Sequence, residues 1–113
     1  MKPSTQAKLW YAQRISAMVL ALCVLVHLVT ILYAIKSGLS ASAILSRTQG
    51  NAAFAAFYGL FVVAVAIHAP IGLARVVEEW LGWRGRSLGI VMLALAALLT
   101  AMGARAVWGL YGG

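Results

Sequence analysis

Three long runs without a charged residue constrain what this chain can fold into. They are Ile15 to Ile35, Ala52 to Ala74 and Ser87 to Ala104, with 21, 23 and 18 residues. A helix needs about 20 predominantly apolar residues to cross the hydrocarbon core of a bilayer. The pattern therefore predicts an all-α membrane protein with three transmembrane helices, at about residues 10–35, 52–80 and 87–110, in a single domain over residues 1–113.

What lies outside these runs excludes several function classes. The chain has 113 residues, of which only 10% are charged, so it leaves no segment long enough for an extramembrane catalytic domain. Its nine Lys and Arg residues flank the apolar runs, which is typical of topology signals, and nucleic acid is not expected as a partner. The single cysteine, Cys23, lies inside the first run and is expected to be a small packing residue.

The distribution of basic residues predicts the orientation of the helices. If the three helices alternate in direction, six basic residues fall on one side and three on the other. The larger set is Lys2, Lys8, Arg14, Arg75, Arg84 and Arg86. Because Lys and Arg are enriched in cytoplasmic segments, the amino terminus is predicted to be cytoplasmic, in a bacterial cytoplasmic (inner) membrane. The first run exceeds the roughly 7–15 apolar residues of a secretory signal, so we expect a retained span.

Local signals predict where helices begin, end and pack. Gly38 is a plausible helix stop, residues 41–45 are expected to form a short amphipathic turn, and Asn51 is expected to cap the second helix. Pro70 should bend that helix. Small residues of the third helix are expected to allow close helix packing. They are Gly89, Ala94, Ala97, Ala101 and Ala104.

The two histidines, His27 and His68, are the main candidates for function because each lies inside an apolar run. An ionisable side chain at membrane depth is costly unless it is paired, ligated or hydrated. A neutral imidazole bonded across helices is one alternative. A proton relay is another, but no carboxylate lies within the runs to continue it. Axial ligation of haem iron is favoured, because neutral imidazole is a common haem ligand.

The neighbours of His68 on its helix favour haem. At 100° per residue, one stripe of the helix carries Phe61, His68, Gly72, Arg75 and Glu79. Gly72 leaves room for a flat macrocycle one turn from the histidine, and Arg75 can meet a haem propionate as an always-charged partner. Ordinary helix packing for Gly72 and a topology role for Arg75 are the plainer alternatives.

The two histidines are predicted to lie at different depths. His27 follows Arg14 by 13 residues, or roughly 20 Å, whereas His68 precedes Arg75 by 7 residues, or roughly 10 Å. One haem needs its two axial ligands near one level. The spacing therefore favours two haems, each completed by a histidine of another chain, so that a second membrane subunit or a second copy completes the bundle.

Two segments resemble the cytochrome b membrane-anchor subunit of the succinate dehydrogenase and fumarate reductase (complex II) family. Residues 13–17, Gln-Arg-Ile-Ser-Ala, are similar to the family's His/Gln-Arg-x-Ser/Thr-Gly segment. Residues 68–75, followed by Glu78 and Glu79, are similar to its His-x-x-x-Gly, Arg and acid segment. There are departures: Ala17 replaces the usual glycine, and Trp10 stands where some members carry a quinone-binding serine.

The resemblance implies a role for each site residue. His68 and His27 would be axial ligands of haem iron, and Gln13 would approach a haem propionate. Arg14 and Ser16, with Trp10 beside them, would lie near the quinone site. The chain would bind one or two haem b groups per assembly. It would pass electrons between a quinone and an iron–sulfur subunit, which exchanges electrons with a flavoprotein subunit. The chain alone would not be catalytic.

Two other functions remain as alternatives. A haem-free structural anchor of a respiratory complex would need only the helices and the basic rim. A small multidrug or ion transporter of this length would need a membrane-embedded carboxylate. Glu78 and Glu79 are instead expected at the membrane surface.

Overall fold

Four α-helices account for the fold in a computed structural model that describes residues 2–112. They are α1 Pro3–Ser37, α2 Ala41–Thr48, α3 Ala52–Leu81 and α4 Arg86–Tyr111. The helices α1, α3 and α4 are each long and apolar enough to cross a membrane, which confirms the three predicted spans. Helix α3 is central, since it packs against both α1 and α4. The bundle is elongated, with extents of 49 × 24 × 23 Å.

Helix α1 begins at Pro3, well before the predicted start near Trp10. Proline suits the first helical position, because its missing N–H would have no partner there. The predicted start was wrong because hydropathy marks where apolar surroundings begin, while the helix extends further into polar sequence. At the other end the prediction is confirmed: the Gly38 N–H donates to the Ala34 carbonyl at 2.8 Å, with a φ of 124°.

The connection between α1 and α3 is more regular than predicted. The short amphipathic turn expected around residues 41–45 is present, and it continues as the helix α2 to Thr48. The Thr48 hydroxyl donates to the Leu110 carbonyl at 2.7 Å, and the Gly50 N–H donates to the Tyr111 carbonyl at 2.9 Å. These bonds satisfy carbonyls at the end of α4 that have no partner within the helix. They join the connection to the carboxyl-terminal end of the bundle.

Both ends of α3 are capped as their residue types require. The Asn51 side chain accepts a hydrogen bond from the Phe54 N–H at 3.1 Å, which confirms the predicted cap. The helix ends at Leu81, and the φ of 67° at the following Gly82 is the left-handed conformation that glycine adopts without strain. Between these ends, α3 continues through Pro70, which is buried.

Few side chains are buried within the chain, and most of them are small. The buried set includes Ser16, Cys23, Thr48, Ala64, Leu88 and Met92. Cys23 is 1% exposed, which confirms its packing role. Many large apolar side chains face outward instead, and Leu93 is 73% exposed. Such a surface is favourable in lipid, whose tails are as apolar as a protein interior.

The contact between α4 and α3 uses a glycine that was not predicted to pack. The predicted small-residue face, from Gly89 to Ala104, is exposed, and a Cβ placed on Gly89 would meet nothing within 4 Å. A Cβ placed on Gly103 would instead lie 2.5 Å from Cγ1 of Val62. Within this chain, close approach of the two helices therefore depends on Gly103.

Candidate functional site

His68 and Ser16 face each other where α3 packs against α1. Ser16 is 4% exposed, and its hydroxyl donates to the Gln13 carbonyl at 3.0 Å. The same Oγ lies 3.5 Å from Nδ1 of His68, at the outer limit for a hydrogen bond. A hydroxyl has one proton to donate, and Ser16 directs it to the carbonyl. A neutral imidazole that hydrogen-bonds to this oxygen must donate from Nδ1, which would leave the ring's lone pair on Nε2.

Gln13 lies over Gly72 on the same side of the bundle. A Cβ on Gly72 would lie 3.2 Å from Nε2 of Gln13, so Gly72 makes room for this amide in the structure. From the sequence, Gly72 was instead predicted to make room for a porphyrin macrocycle. Oε1 of Gln13 is buried without a hydrogen-bond partner, which costs about 1–3 kcal/mol for a neutral group. Oε1 can accept a hydrogen bond from a donor group of a ligand, whereas only the NH2 end of this amide can donate to a carboxylate.

Arg75 is paired at the end of α3 rather than with His68. Its Nη1 lies 3.4 Å from Oε1 of Glu78, while Nη1 of Arg84 lies 3.3 Å from Oε2 of the same carboxylate. The Arg75 side chain is 42% exposed, so this ion pair contributes little stability. One carboxylate between two guanidinium groups leaves a net positive charge. The cluster can therefore still attract an anionic group.

The three residues predicted for quinone binding are divided between two faces of α1. The guanidinium of Arg14 lies over the indole ring of Trp10, 5.1 Å from its centroid, and both residues are exposed. Ser16 points the other way, toward His68. Arg14 and Trp10 thus form one exposed pair, and Ser16 belongs to the histidine cluster.

His27 is the centre of a second polar cluster, between α1 and the amino-terminal part of α3. Its Nδ1 lies 2.9 Å from the Tyr58 hydroxyl, which lies 3.1 Å from Oγ1 of Thr30. Thr30 in turn donates to the backbone carbonyl of His27 at 2.7 Å. Tyr58 and Thr30 were not predicted as site residues. The feature of the sequence that could have identified them is that each is a hydroxyl-bearing residue inside an otherwise apolar run.

Beside this cluster is an open cavity of about 960 Å³, here called the His27 cavity. Its wall is mostly apolar and aromatic, including Phe54, Phe57 and Phe61 from α3. Arg47 is the charged residue of its lining, and its guanidinium lies over the ring of Tyr33 at 5.6 Å. Cofactor sites are commonly apolar cavities of about 300–1,000 Å³ with a few polar groups. The volume, the aromatic wall and the histidine together fit a porphyrin.

The two histidines lie at different levels of the bundle. His68 is opposite Ser16, and His27 lies 11 residues further along α1. At 1.5 Å per residue, this separation is about 16 Å along the helix. The two imidazoles therefore lie at different depths along the bundle, as predicted from the distance of His27 to Arg14 and of His68 to Arg75. They do not face a common ligand within one chain.

Comparison with known proteins identifies one family. The family model described as succinate dehydrogenase/fumarate reductase transmembrane subunit matches residues 1–103. This range contains both histidine clusters and all of α1, α2 and α3. No curated protein and no solved structure matches the chain.

Proposed function

The chain belongs to the family of succinate dehydrogenase/fumarate reductase transmembrane subunits, and from that premise we propose that it is a haem b-binding membrane anchor. It is a multi-pass membrane protein, as its three apolar helices and its family require. We place it in a bacterial cytoplasmic membrane with its amino terminus inside. Its proposed partners are the flavoprotein and iron–sulfur subunits, together with a second membrane subunit or a second copy of this chain.

The observation that carries the haem assignment is the contact between Ser16 and His68. A histidine that binds a metal almost always donates its other N–H to a fixed acceptor, which sets the ring's orientation and tautomer. The Ser16 hydroxyl is such an acceptor, since its own proton goes to the Gln13 carbonyl. His68 is thereby prepared to offer Nε2 to iron.

Other residues of the chain would help to hold haem at the His68 site. Haem b, when bound, supplies one-electron transfer between the iron–sulfur subunit and a membrane quinone. Nε2 of Gln13, which lies over Gly72, could donate to a propionate, and Arg75 contributes positive charge from the carboxyl-terminal part of α3. The packing of α1 against α3 buries Ser16 and so shields its contact with His68 from water.

The exposed pair of Arg14 and Trp10 is proposed to bind the quinone. A guanidinium can donate to a quinone carbonyl oxygen, and an indole offers a flat apolar face for the ring. Because the arginine already lies over the indole, both groups are presented on one surface of α1. Ser16 is proposed to support the haem ligand rather than to contact the quinone.

His27 is the proposed ligand of a second haem in the His27 cavity. Any second histidine for that haem would have to come from another chain, because His68 lies at a different level. Arg47, in the wall of this cavity, donates to the Gly38 carbonyl at 2.8 Å and has further N–H groups that could donate to a propionate.

The test is a visible spectrum of the assembled complex purified from membranes, reduced minus oxidised. We expect a b-type α-band, the loss of one haem in His68→Ala, and the loss of a different haem in His27→Ala. The variant Thr100→Val is a matched control, because this exposed hydroxyl bonds only within α4, to the Ala96 carbonyl. Absence of the α-band would leave a haem-free anchor. Loss of the same haem in both histidine variants would contradict the two-level arrangement, and copurification of flavin and iron–sulfur centres tests the partners separately.

A further inference from the structure

The contacts among His27, Tyr58 and Thr30 determine where each proton lies. We propose that Tyr58 and Thr30 are positioning residues that hold His27 as the Nδ1–H tautomer and leave its Nε2 free to bind iron. This inference rests on the proposed haem-binding function. It adds two residues and a proton arrangement to the second site.

The argument starts at Thr30, which has a single hydroxyl proton. Its Oγ1 lies 2.7 Å from the His27 backbone carbonyl, and a carbonyl can only accept. The Thr30 proton is therefore used in this bond. Toward Tyr58, at 3.1 Å, Oγ1 of Thr30 can only accept.

The Tyr58 hydroxyl must consequently donate its single proton to Thr30. Its remaining contact is with Nδ1 of His27 at 2.9 Å, and there it can only accept. Nδ1 is then the donor and carries the proton. In a neutral imidazole the lone pair must be on the other nitrogen, Nε2.

Aromatic packing fixes the plane of the same ring. The ring of Tyr58 and the ring of Phe61 each lie 5.6 Å from the imidazole centroid, at interplanar angles of 82° and 80°. Edge contacts of this kind are favourable for aromatic pairs. The hydrogen bond sets which nitrogen is protonated, and the two rings limit how far the imidazole can rotate.

The tautomer can be measured without haem, by nitrogen NMR of the full chain with labelled histidine in lipid or detergent. The chain has two histidines, so His68→Ala assigns the spectrum. We expect His27 to show a protonated Nδ1 and an unprotonated Nε2. In Thr30→Val, the Tyr58 proton is free to turn toward Nδ1, so the Nε2–H tautomer should appear. Tyr58→Phe removes the acceptor and should have the same effect.

Two further variants separate positioning from general damage to the fold. Thr30→Ser keeps the hydroxyl and should retain the Nδ1–H tautomer, whereas Thr100→Val deletes a hydroxyl remote from this cluster and should also retain it. An Nε2–H tautomer in the unaltered chain overturns the proposal. So does an unchanged tautomer in both Thr30→Val and Tyr58→Phe. If Tyr58→Phe does not fold, the comparison of Thr30→Val with Thr30→Ser decides alone.

The haem content of the assembled complex distinguishes this inference from the function on which it rests. A fixed Nδ1–H tautomer in a complex without a His27-dependent haem supports the role of Tyr58 and Thr30 and contradicts the second-haem proposal. With that haem present, we expect Tyr58→Phe to weaken its retention about 10–100-fold, as is usual when the partner of a ligating histidine is removed. The haem that depends on His68 should be unaffected.

Discussion

At Gly103, the helix α4 lies directly against the Val62 side chain of α3. A Cβ at Gly103 would be 2.5 and 2.7 Å from the two Cγ atoms of Val62 and 3.1 Å from its Cβ. Carbon atoms in favourable contact are about 3.5–4.0 Å apart, so Gly103→Ala requires an opening of about 1 Å. Valine is stiff at χ1 and cannot simply turn away. Overpacking of this kind costs about 1–3 kcal/mol.

A matched substitution isolates that cost from helix propensity. Alanine is favoured over glycine in a helix by about 1 kcal/mol, and this gain applies equally to Gly89→Ala, where the added Cβ meets nothing within 4 Å. The two variants should therefore differ in their free energy of unfolding by about 1–3 kcal/mol, with Gly103→Ala the less stable.

The assay is an SDS titration of the purified chain in detergent micelles, followed by circular dichroism. Val62→Ala removes both Cγ atoms, so combining it with Gly103→Ala should give a favourable coupling of about 0.5–3 kcal/mol relative to the sum of the single variants. Equal stability of Gly103→Ala and Gly89→Ala, with no coupling to Val62→Ala, would refute the packing of α4 on α3 described above.

Three further substitutions test other contacts. Ser16→Ala should weaken retention of the His68-dependent haem about 10–100-fold. Retention is measured by haem transfer to an excess of a competing apoprotein, and unchanged retention would contradict the role of this hydroxyl. Thr48→Val should lower the free energy of unfolding by about 1–3 kcal/mol in the SDS titration, because the Leu110 carbonyl of α4 loses its donor. An unaltered midpoint would argue against that bond. Gly72→Ala should cost less than about 1.5 kcal/mol and keep both haems, because only the flexible end of Gln13 must shift; loss of a haem would mean that the macrocycle lies over Gly72.

The spans could be predicted from the sequence, but the faces of the helices could not. Charge-free runs of about 20 residues have few explanations other than a bilayer, so α1, α3 and α4 were evident. In water, an apolar stripe shows which side of a helix packs inward. In lipid both sides are apolar, and this signal is lost. Gly89 and Gly103 therefore look equivalent in the sequence, although only Gly103 contacts α3 closely.

The histidines could be singled out because an ionisable group is rare at membrane depth. Their partners could not, since Ser, Thr and Tyr hydroxyls are common enough in membrane helices to carry little information alone. Ser16 was accordingly assigned to the quinone site from the family resemblance of residues 13–17 alone. Its contact with His68 depends on how α1 is rotated against α3, which the structure supplies.

The choice of hydroxyl partners has a consequence for the electronic properties of both sites. A carboxylate accepting from Nδ1 would place a charge at membrane depth, at a cost of several kcal/mol unless it were paired. At Ser16 and Thr30, a hydroxyl instead gives its proton to a carbonyl three residues earlier on its own helix, so each polar group is satisfied without any charge. A neutral acceptor draws the Nδ1 proton less strongly than a carboxylate does, so the imidazole would have less imidazolate character and would be the weaker electron donor to an iron bound there. Both sites should therefore favour the reduced form of a bound haem more than a carboxylate-partnered histidine would, and replacing Ser16 or Tyr58 by Asp should lower the reduction potential of the haem at that site alone.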